Sequence, residues 1–353
     1  MLWPTLKYSR NHVNRAGDIL AHWGDGTDRL EDLIEAFDVL TNWRSCHTYP
    51  INTFQATLRQ KLKNIDRNAI VAQRIKRVPS IVSKLRRFSK MRLSRMQDIG
   101  GLRAIVDTLN NVTQLKHNYN GSRFHHELIT EKDYIAKPKP SGYRGVHLVY
   151  RYNNIKNDKY NGLLIELQIR DKLQHAWATA VETMGTFLNQ ALKSSEGPDA
   201  WLNFFALAGS AFAHLEKCPP VVGFEGLSQT ETFARTIETA KELSVKNKLA
   251  VYSHAVNVTS MVNTSGSYHL VVLDPDKKSV DIKTYSRARL DEANEAYTQT
   301  ERRITEGENL QAVLVSAGSI EALRRAYPNY FLDTKQFIMY LDRIERKVTR
   351  TST

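Results

Sequence analysis

Glu166, Gln168 and Arg170 occupy alternate positions of Leu163–Arg170 (LLIELQIR), interleaved with Ile165, Leu167 and Ile169. Residues two apart on a strand share a face, so the apolar three predict a buried side and the polar three a side that lines a cleft. An acid, an amide and a base in file suit a site for a divalent ion and phosphate, since Mg²⁺ takes one or two carboxylates beside substrate phosphates. Asp98 stands just before the apolar run Gly101–Val106 and offers a second carboxylate for the same ion. Arg103 brings a guanidinium able to stack on adenine or pair with phosphate. Lys137–His147 (KPKPSGYRGVH) sets Tyr143 among Lys137, Lys139, Arg144 and His147. An aromatic ring among cations is a clamp for a nucleobase and its phosphates. Alternation puts Tyr143, Gly145 and His147 on one face and Arg144 and Val146 on the other, after a tight turn permitted by Gly142. A plainer reading stands beside each of these: a Pro-rich loop entering a strand, a solvated strand face, and surface charges.

The elements that must position these residues begin with helices up to about residue 70. Leu30, Leu33, Ile34, Phe37 and Leu40 recur at helix spacing, as do Phe54, Leu58 and Leu62, with Asn52 or Thr53 expected as a cap. Pro79 suits the first turn of a helix carrying Ile81, Leu85 and Phe88 on one stripe and Ser80 and Lys84 as neighbours on another. Strands are expected at Gly101–Val106, Gly145–Tyr150 and Leu163–Arg170, the last two joined by a hairpin connection over Asn153–Gly162. A helix over Leu173–Leu192 follows. A break at Cys218-Pro219-Pro220 and Gly223–Gly226 divides residues 1–225 from 226–353. Beyond it the pattern predicts a helix at Thr230–Leu243 and strands at Leu249–Val258, Tyr268–Leu273 and Val280–Tyr285. A helix at Ala288–Ile304, a strand at Leu310–Val315 and helices at Ile320–Tyr327 and Thr334–Val348 complete the chain. The fold class is α+β: a mixed sheet flanked by helices, plus a smaller C-terminal α+β module.

The whole composition agrees. At 353 residues, 41% hydrophobic and 25% charged, the chain is long enough for two domains of roughly 100–200 residues and too apolar for general disorder. Two distant cysteines, Cys46 and Cys218, exclude a disulfide scaffold and fit a reducing compartment. The most apolar stretch, Trp201–Leu215, is interrupted by Asn203, Ser210 and His214 and is shorter than the roughly 20 residues needed to span a bilayer. No apolar run of signal-peptide length opens the chain, so a cytoplasmic protein with no membrane partner is expected. The net charge of +13 points to polyanionic partners. Much of it lies in Arg74–Arg95, a block that reads equally well as a solvated helix face.

The order of these motifs resembles the RelA/SpoT alarmone synthetase family. The residues that carry the resemblance are Arg74, Lys76, Ser80-Ile81 and Lys84; Asp98 through Arg103; Lys137-Pro138-Lys139-Pro140-Ser141-Gly142-Tyr143-Arg144 and His147; Glu166-Leu167-Gln168-Ile169-Arg170; and His175 with Trp177. They cover about residues 70 to 190. The resemblance implies a nucleotidyltransferase-like core acting as a pyrophosphokinase, which moves the β,γ-pyrophosphate of ATP to a ribose 3′-hydroxyl with Mg²⁺. It implies that Arg74, Lys76, Ser80, Lys84 and Arg103 hold ATP, and that Asp98 and Glu166 bind the metal, Glu166 doubling as base. Tyr143 would stack on the acceptor base, with Lys137, Lys139, Arg144, His147, Gln168 and Arg170 around the acceptor.

Departures from the family pattern shape the expectation. Bifunctional members carry a His-Asp hydrolase motif, and no His-Asp dipeptide occurs here, so hydrolysis of the product is not expected. Ser141 stands where synthetases commonly have Asn, which leaves the acceptor base open. One reading is a short synthetase acting on GDP or GTP, or on the corresponding adenosine nucleotide. The other is a toxin of the same fold that pyrophosphorylates the 3′-terminal adenosine of tRNA, in toxin–antitoxin or phage-defence systems. The basic block and the appended module favour the second. By architecture alone, residues 226–353 read either as a regulatory or autoinhibitory domain, with a phage protein or another regulator as a partner, or equally as a domain that only supports solubility or oligomerisation.

Overall fold

The computed structural model describes residues 3–23, 29–121, 124–155, 157–188, 192, 195, 197–254, 257–258, 268–277, 279–316, 323–325, 327–331 and 333–351. Three helices open it: α1 (Arg10–His22), α2 (Leu30–Cys46) and α3 (Thr48–Leu62). Only His47 separates α2 from α3. The cap expected at Asn52 or Thr53 is therefore not one, since both lie inside α3. The helix starts earlier because Pro50 falls in its first turn, where a missing N–H costs nothing.

A strand, β1 (Ile70–Ile75), leads into α4 (Val78–Arg87), with Pro79 in the first turn as expected. Next come β2 (Gly100–Val106), α5 (Leu109–Gly121), β3 (Glu127–Asp133), β4 (Val146–Arg151), β5 (Leu164–Asp171), α6 (Lys172–Leu188) and α7 (Asp199–Leu215). The remainder comprises α8 (Gln229–Glu242), α9 (Val245–His254), β6 (Asn257–Val258), β7 (Tyr268–Asp274), β8 (Ser279–Tyr285), α10 (Leu290–Thr305), β9 (Gln311–Ser316), a 3-10 turn (Pro328–Phe331) and α11 (Lys335–Thr351). The strand expected over Leu249–Val258 is mostly helix. Val245 and Leu249, one helical turn apart, are fully buried in the same apolar cluster, and that spacing overrides the β-branched composition. Of the helix expected over Ile320–Tyr327, residues 323–325 are helical and residues 320–322 and 326 lie outside the described residues, as do residues 189–191 of the one expected to reach Leu192. Among the described residues no helix is long and apolar enough to cross a membrane.

The strands form one nine-stranded mixed sheet in the order β3-β4-β5-β2-β1-β9-β7-β8-β6. β2 and β5 run parallel, as do β6 and β8, and the other pairs are antiparallel. β9 joins β1 at Arg74 opposite Val315, so strands contributed after residue 226 continue the sheet built before it. The back face packs on α1–α5. There Ile165, Leu167 and Ile169 are fully buried with Leu102 and Ala104, each large aliphatic side chain contributing about 1.5–3 kcal/mol. Over β4, β5, β2 and β1 the front face carries His147, Glu166, Gln168, Arg103 and Arg74, whereas over β9, β7 and β8 it is apolar, with Val271, Leu273, Ile282, Val313 and Val315 packed with Tyr327, Tyr330 and Phe331. A second apolar cluster joins α6 and α7 to Phe233 and Ile237 of α8 and to Phe337, Leu341 and Ile344 of α11. The C-terminal helices thus cover what would otherwise be the bare outer side of α6 and α7.

Candidate active site

Cross-strand register assembles the site on the front face. His147 of β4 lies opposite Gln168 of β5, which lies beside Arg103 of β2. One row along, Glu166 lies beside Gly101, which faces Arg74 of β1. Directly opposed residues point to the same side of a sheet, and Gly101 leaves a gap between the carboxylate and the guanidinium.

Two groups of contacts follow. In the first, Lys76 Nζ and Lys84 Nζ hold the two Asp98 oxygens at 2.8 and 2.9 Å. Burial alone would raise the Asp98 pKa, but the two ammonium groups outweigh it and hold the carboxyl well below its usual range. In the second, His147 Nδ1 lies 2.7 Å from Glu166 Oε1 and Gln168 Nε2 donates to Glu166 Oε2 at 2.8 Å. Here too burial pushes upward and the His147 and Gln168 contacts win, bringing Glu166 down to about 2. Glu166 also senses the charge of Asp98. Two carboxylates in electrostatic contact, each within reach of cations or amide donors, suit an ion whose other ligands come from phosphate. Among the described residues no group of three or more His, Cys, Asp or Glu side chains could hold a metal by itself.

The cationic character is concentrated. Arg103 and Arg170 are almost wholly buried, and Arg103 is pulled down to about 10, first by burial and then by repulsion from Arg170, with Arg74 adding to it. Glu182 of α6 offsets part of this charge. Such a cluster of crowded guanidinium groups is a polyphosphate site in waiting.

The acceptor loop divides the residues expected there. Gly142 adopts φ +92°, and a Cβ on it would stand 2.6 Å from the Phe205 carbonyl of α7, so only glycine makes this turn against the helix. Tyr143 is 4% exposed and packed near Trp177, with Lys139 Nζ 5.1 Å and Arg170 Cζ 4.8 Å from its ring centroid. In this conformation its ring offers almost no surface to a base. Its hydroxyl contacts His147 Nε2 at 2.5 Å and accepts from Arg170 Nε and Nη2 at 3.0 and 2.8 Å. Arg144, 3% exposed, points to the other side, where Nη2 lies 2.7 Å from Glu216 at the end of α7. Alternation along the strand predicts that direction; the acceptor role implied by family resemblance does not fit it. Lys137 is exposed on the loop, and Ser80 is half-buried one turn before Lys84. His175 is buried, and first that burial and then the charges of Arg103 and Arg170 lower its pKa, while Trp177 Nε1 donates to the Phe205 carbonyl at 2.9 Å.

Residues 73–187 match the family model described as the region found in RelA / SpoT proteins. Over 113 residues the chain is 36% identical to GTP pyrophosphokinase YjbM of Bacillus subtilis (strain 168), covering 31% of this chain and 52% of that protein. It is 31% identical to GTP pyrophosphokinase YwaC of the same organism, covering 30% and 52%. The chain thus spans about half the length of the curated relatives it matches. Among solved structures it is similar to small alarmone synthetase 1 from Bacillus subtilis bound to its product pppGpp, at 29% identity and a TM-score of 0.39, covering 48% of this chain and 90% of that one.

Side chains from outside the RelA/SpoT region also reach the site, and no sequence motif marked them. Tyr327 lies over Arg103, with Cζ 5.8 Å from the ring centroid, and its hydroxyl donates to the Gln73 carbonyl at 2.8 Å. Glu301 of α10 pairs with Arg44 at 2.8 Å, both almost wholly buried, and accepts from the Val78 backbone N–H at 2.8 Å. Arg44 Nε in turn donates to the Lys76 carbonyl at 3.0 Å. The corner between Lys76 and α4 is therefore clasped from both ends of the chain. Within the region, Tyr134 was also missed. It stands edge-on to His147 with Lys139 Nζ 4.5 Å from its centroid, and its only signal was an aromatic three residues before the Lys137 loop.

Proposed function

We propose that this chain is a pyrophosphokinase that transfers the β,γ-pyrophosphate of ATP to the ribose 3′-hydroxyl of GDP or GTP and is held closed by its own C-terminal segment. The observation that carries the transfer reading is the shared front face: Asp98 between two lysines, Glu166 between His147 and Gln168, and three crowded arginines. ATP would lie against Arg74, Lys76, Ser80, Lys84 and Arg103, and the acceptor against Lys139, His147, Gln168 and Arg170. Asp98 and Glu166 would hold Mg²⁺, which supplies charge neutralisation for the transferred group. Glu166, ionised at neutral pH, is the group placed to take the hydroxyl proton. Both curated relatives are named GTP pyrophosphokinase, which supports a guanine acceptor.

The closed state is inferred from Tyr327. A tyrosine over the Arg103 guanidinium occupies the surface on which adenine would stack, so the segment excludes the donor. A second acceptor reading, the 3′ end of tRNA, is favoured by an open cleft lined by Asn11, Asn14, Arg15, Asp18, Lys90, Arg92 and Arg95. Its four cations against one acid suit a phosphate backbone, although Arg92 is already 2.6 Å from Asp18.

The test is transfer from γ-labelled ATP with Mg²⁺ to GDP, GTP, ATP and deacylated tRNA in parallel, using the intact chain and Tyr327→Ala. Label on GDP or GTP, lost in Asp98→Asn and Glu166→Gln, is expected. Label on tRNA alone, with affinity falling steeply as salt rises, would replace the acceptor; no label with either protein would end the reading.

A further inference from the structure

We infer that residues 3–8 form a strap that holds the closed state, with Trp3 fastening the C-terminal part of the sheet to the N-terminal helices. The inference rests on the closed pyrophosphokinase reading for its effect on transfer, and on packing for the strap itself.

Trp3–Tyr8 (WPTLKY) lies in no helix or strand. Side chains hold its backbone in place of a neighbouring strand. The Asn42 amide of α2 accepts from the Lys7 N–H at 3.1 Å and donates to the Thr5 carbonyl at 2.9 Å. The Tyr160 hydroxyl donates to the Pro4 carbonyl at 2.7 Å. Leu6 and Tyr8 pack on the apolar cluster behind β2 and β5. Trp3 joins that cluster too, edge-on to Tyr49 of α3 with ring centroids 5.3 Å apart. It also packs on the separate cluster built by Tyr268, Tyr285, Leu290 and Tyr297 of β7, β8 and α10. One indole therefore spans the seam where β1 meets β9.

The two faces of the strands beyond that seam are gripped differently. Leu270 and Ala312 belong to the cluster that holds Trp3, while their neighbours Val271 and Val313 belong to the one that holds Tyr327. Alternate residues of a strand point to opposite faces, so Trp3 and Tyr327 hold opposite sides of β7 and β9. Moving these strands away from β1, so that Tyr327 leaves Arg103, pulls the Trp3 cluster off α3. Among the described residues the β1–β9 ladder is one pair, Arg74 opposite Val315, so the ladder adds little to the hold. A chain end stays ordered only where it is tied down, and this one is tied to both sides of the seam.

Two measurements on the full chain test the inference. The first is amide hydrogen exchange in β9 and α10, compared with β2 and β5. Trp3→Ala is expected to speed exchange in β9 and α10 by about fivefold or more while β2 and β5 keep their rates. Asn42→Asp, which cannot donate to the Thr5 carbonyl, should act in the same direction, and Trp3→Phe should stay near the parent. The second is transfer from γ-labelled ATP. Trp3→Ala should exceed the parent by about fivefold or more, yet add little in the Tyr327→Ala chain, where the donor surface is already free. Unchanged exchange in β9 would overturn the inference. Exchange rising equally in β2 and β5 would do so as well, being the result of a merely structural role. So would transfer no faster than the parent's in Trp3→Ala while Tyr327→Ala is faster. Absence of transfer in every form would overturn the pyrophosphokinase reading, and exchange in β9 would still decide this one.

Discussion

Asp98 illustrates how a resting site can hold its substrate's place. Lys76 and Lys84 both point at its carboxylate, so in the proposed reading a triphosphate would compete with Asp98 for the same two cations. Removing the charge should therefore separate binding from transfer. With metal chelated, Asp98→Asn in the Tyr327→Ala chain is expected to bind ATP several-fold more tightly than its parent, while transfer with Mg²⁺ falls at least about a hundredfold. Calorimetry in EDTA checks the first half, and weaker ATP binding would show that the lysines do not face the phosphates. At this scale the sequence was informative where a period of two operated. Ile165, Leu167 and Ile169 went to the back face, Glu166, Gln168 and Arg170 to the front, and Arg144 opposite to Tyr143. It was silent on what Tyr143 does with its hydroxyl, because that depends on Arg170, a residue on another strand.

The junction between α2 and α3 is a single buried histidine. His47 Nδ1 donates to the Trp43 carbonyl at 2.7 Å, and its Cβ lies where a side chain on Gly100 would otherwise go. Burial lowers its pKa from 6.5 to about 4, with the Trp43 bond only partly opposing this. An unfolded chain takes up the proton near 6.5 and the folded chain only near 4, so between these values the unfolded state binds more protons. Stability is then full above about pH 6.5 and declines as pH falls toward 4, on the order of 1–3 kcal/mol for this one group. Melting curves across that window should show the slope reduced in His47→Gln but not abolished, since His126 is also held near 4, chiefly by burial. An unchanged slope would remove His47 from the account. Elements with strong apolar periodicity, such as α2, α6 and β5, were legible. β1 was not, because Gln73 and Arg74 interrupt its apolar pattern where the strand meets the site. β3 was not either: its charged sequence, Glu127–Asp133, is what a sheet edge requires rather than what a buried strand shows.

Across the whole molecule, one sheet carries both the proposed site and the segment proposed to close it. Tyr327 rests on Arg103, and Glu301 ties α10 to Arg44 and to the first turn of α4. Tyr327→Ala is expected to raise transfer by about tenfold or more by freeing the donor surface. Glu301→Gln should do so too, at a cost in stability of about 3–5 kcal/mol for leaving Arg44 buried without its counter-charge. Parallel transfer and melting measurements check both, and a destabilised but no more active Glu301→Gln would show that the clasp is only structural. An autoinhibitory C-terminal segment was expected from architecture, but these pairs were not legible, since their members are far apart in the chain and no motif marks Tyr327 or Glu301.

The join between β1 and β9 also bears on how the chain is made. A ribosome that stops before α8 releases a product whose β1 is an open edge and whose α6 and α7 lack the cover of Phe233, Phe337 and Leu341. Such a fragment has a large apolar face and an unpaired strand, the two features that lead to aggregation. Residues 1–225 expressed alone should accordingly collect in the insoluble fraction, and a soluble, active fragment would refute this. Interrupted synthesis would then yield no unrestrained enzyme: each incomplete copy fails by precipitating before it can turn over ATP.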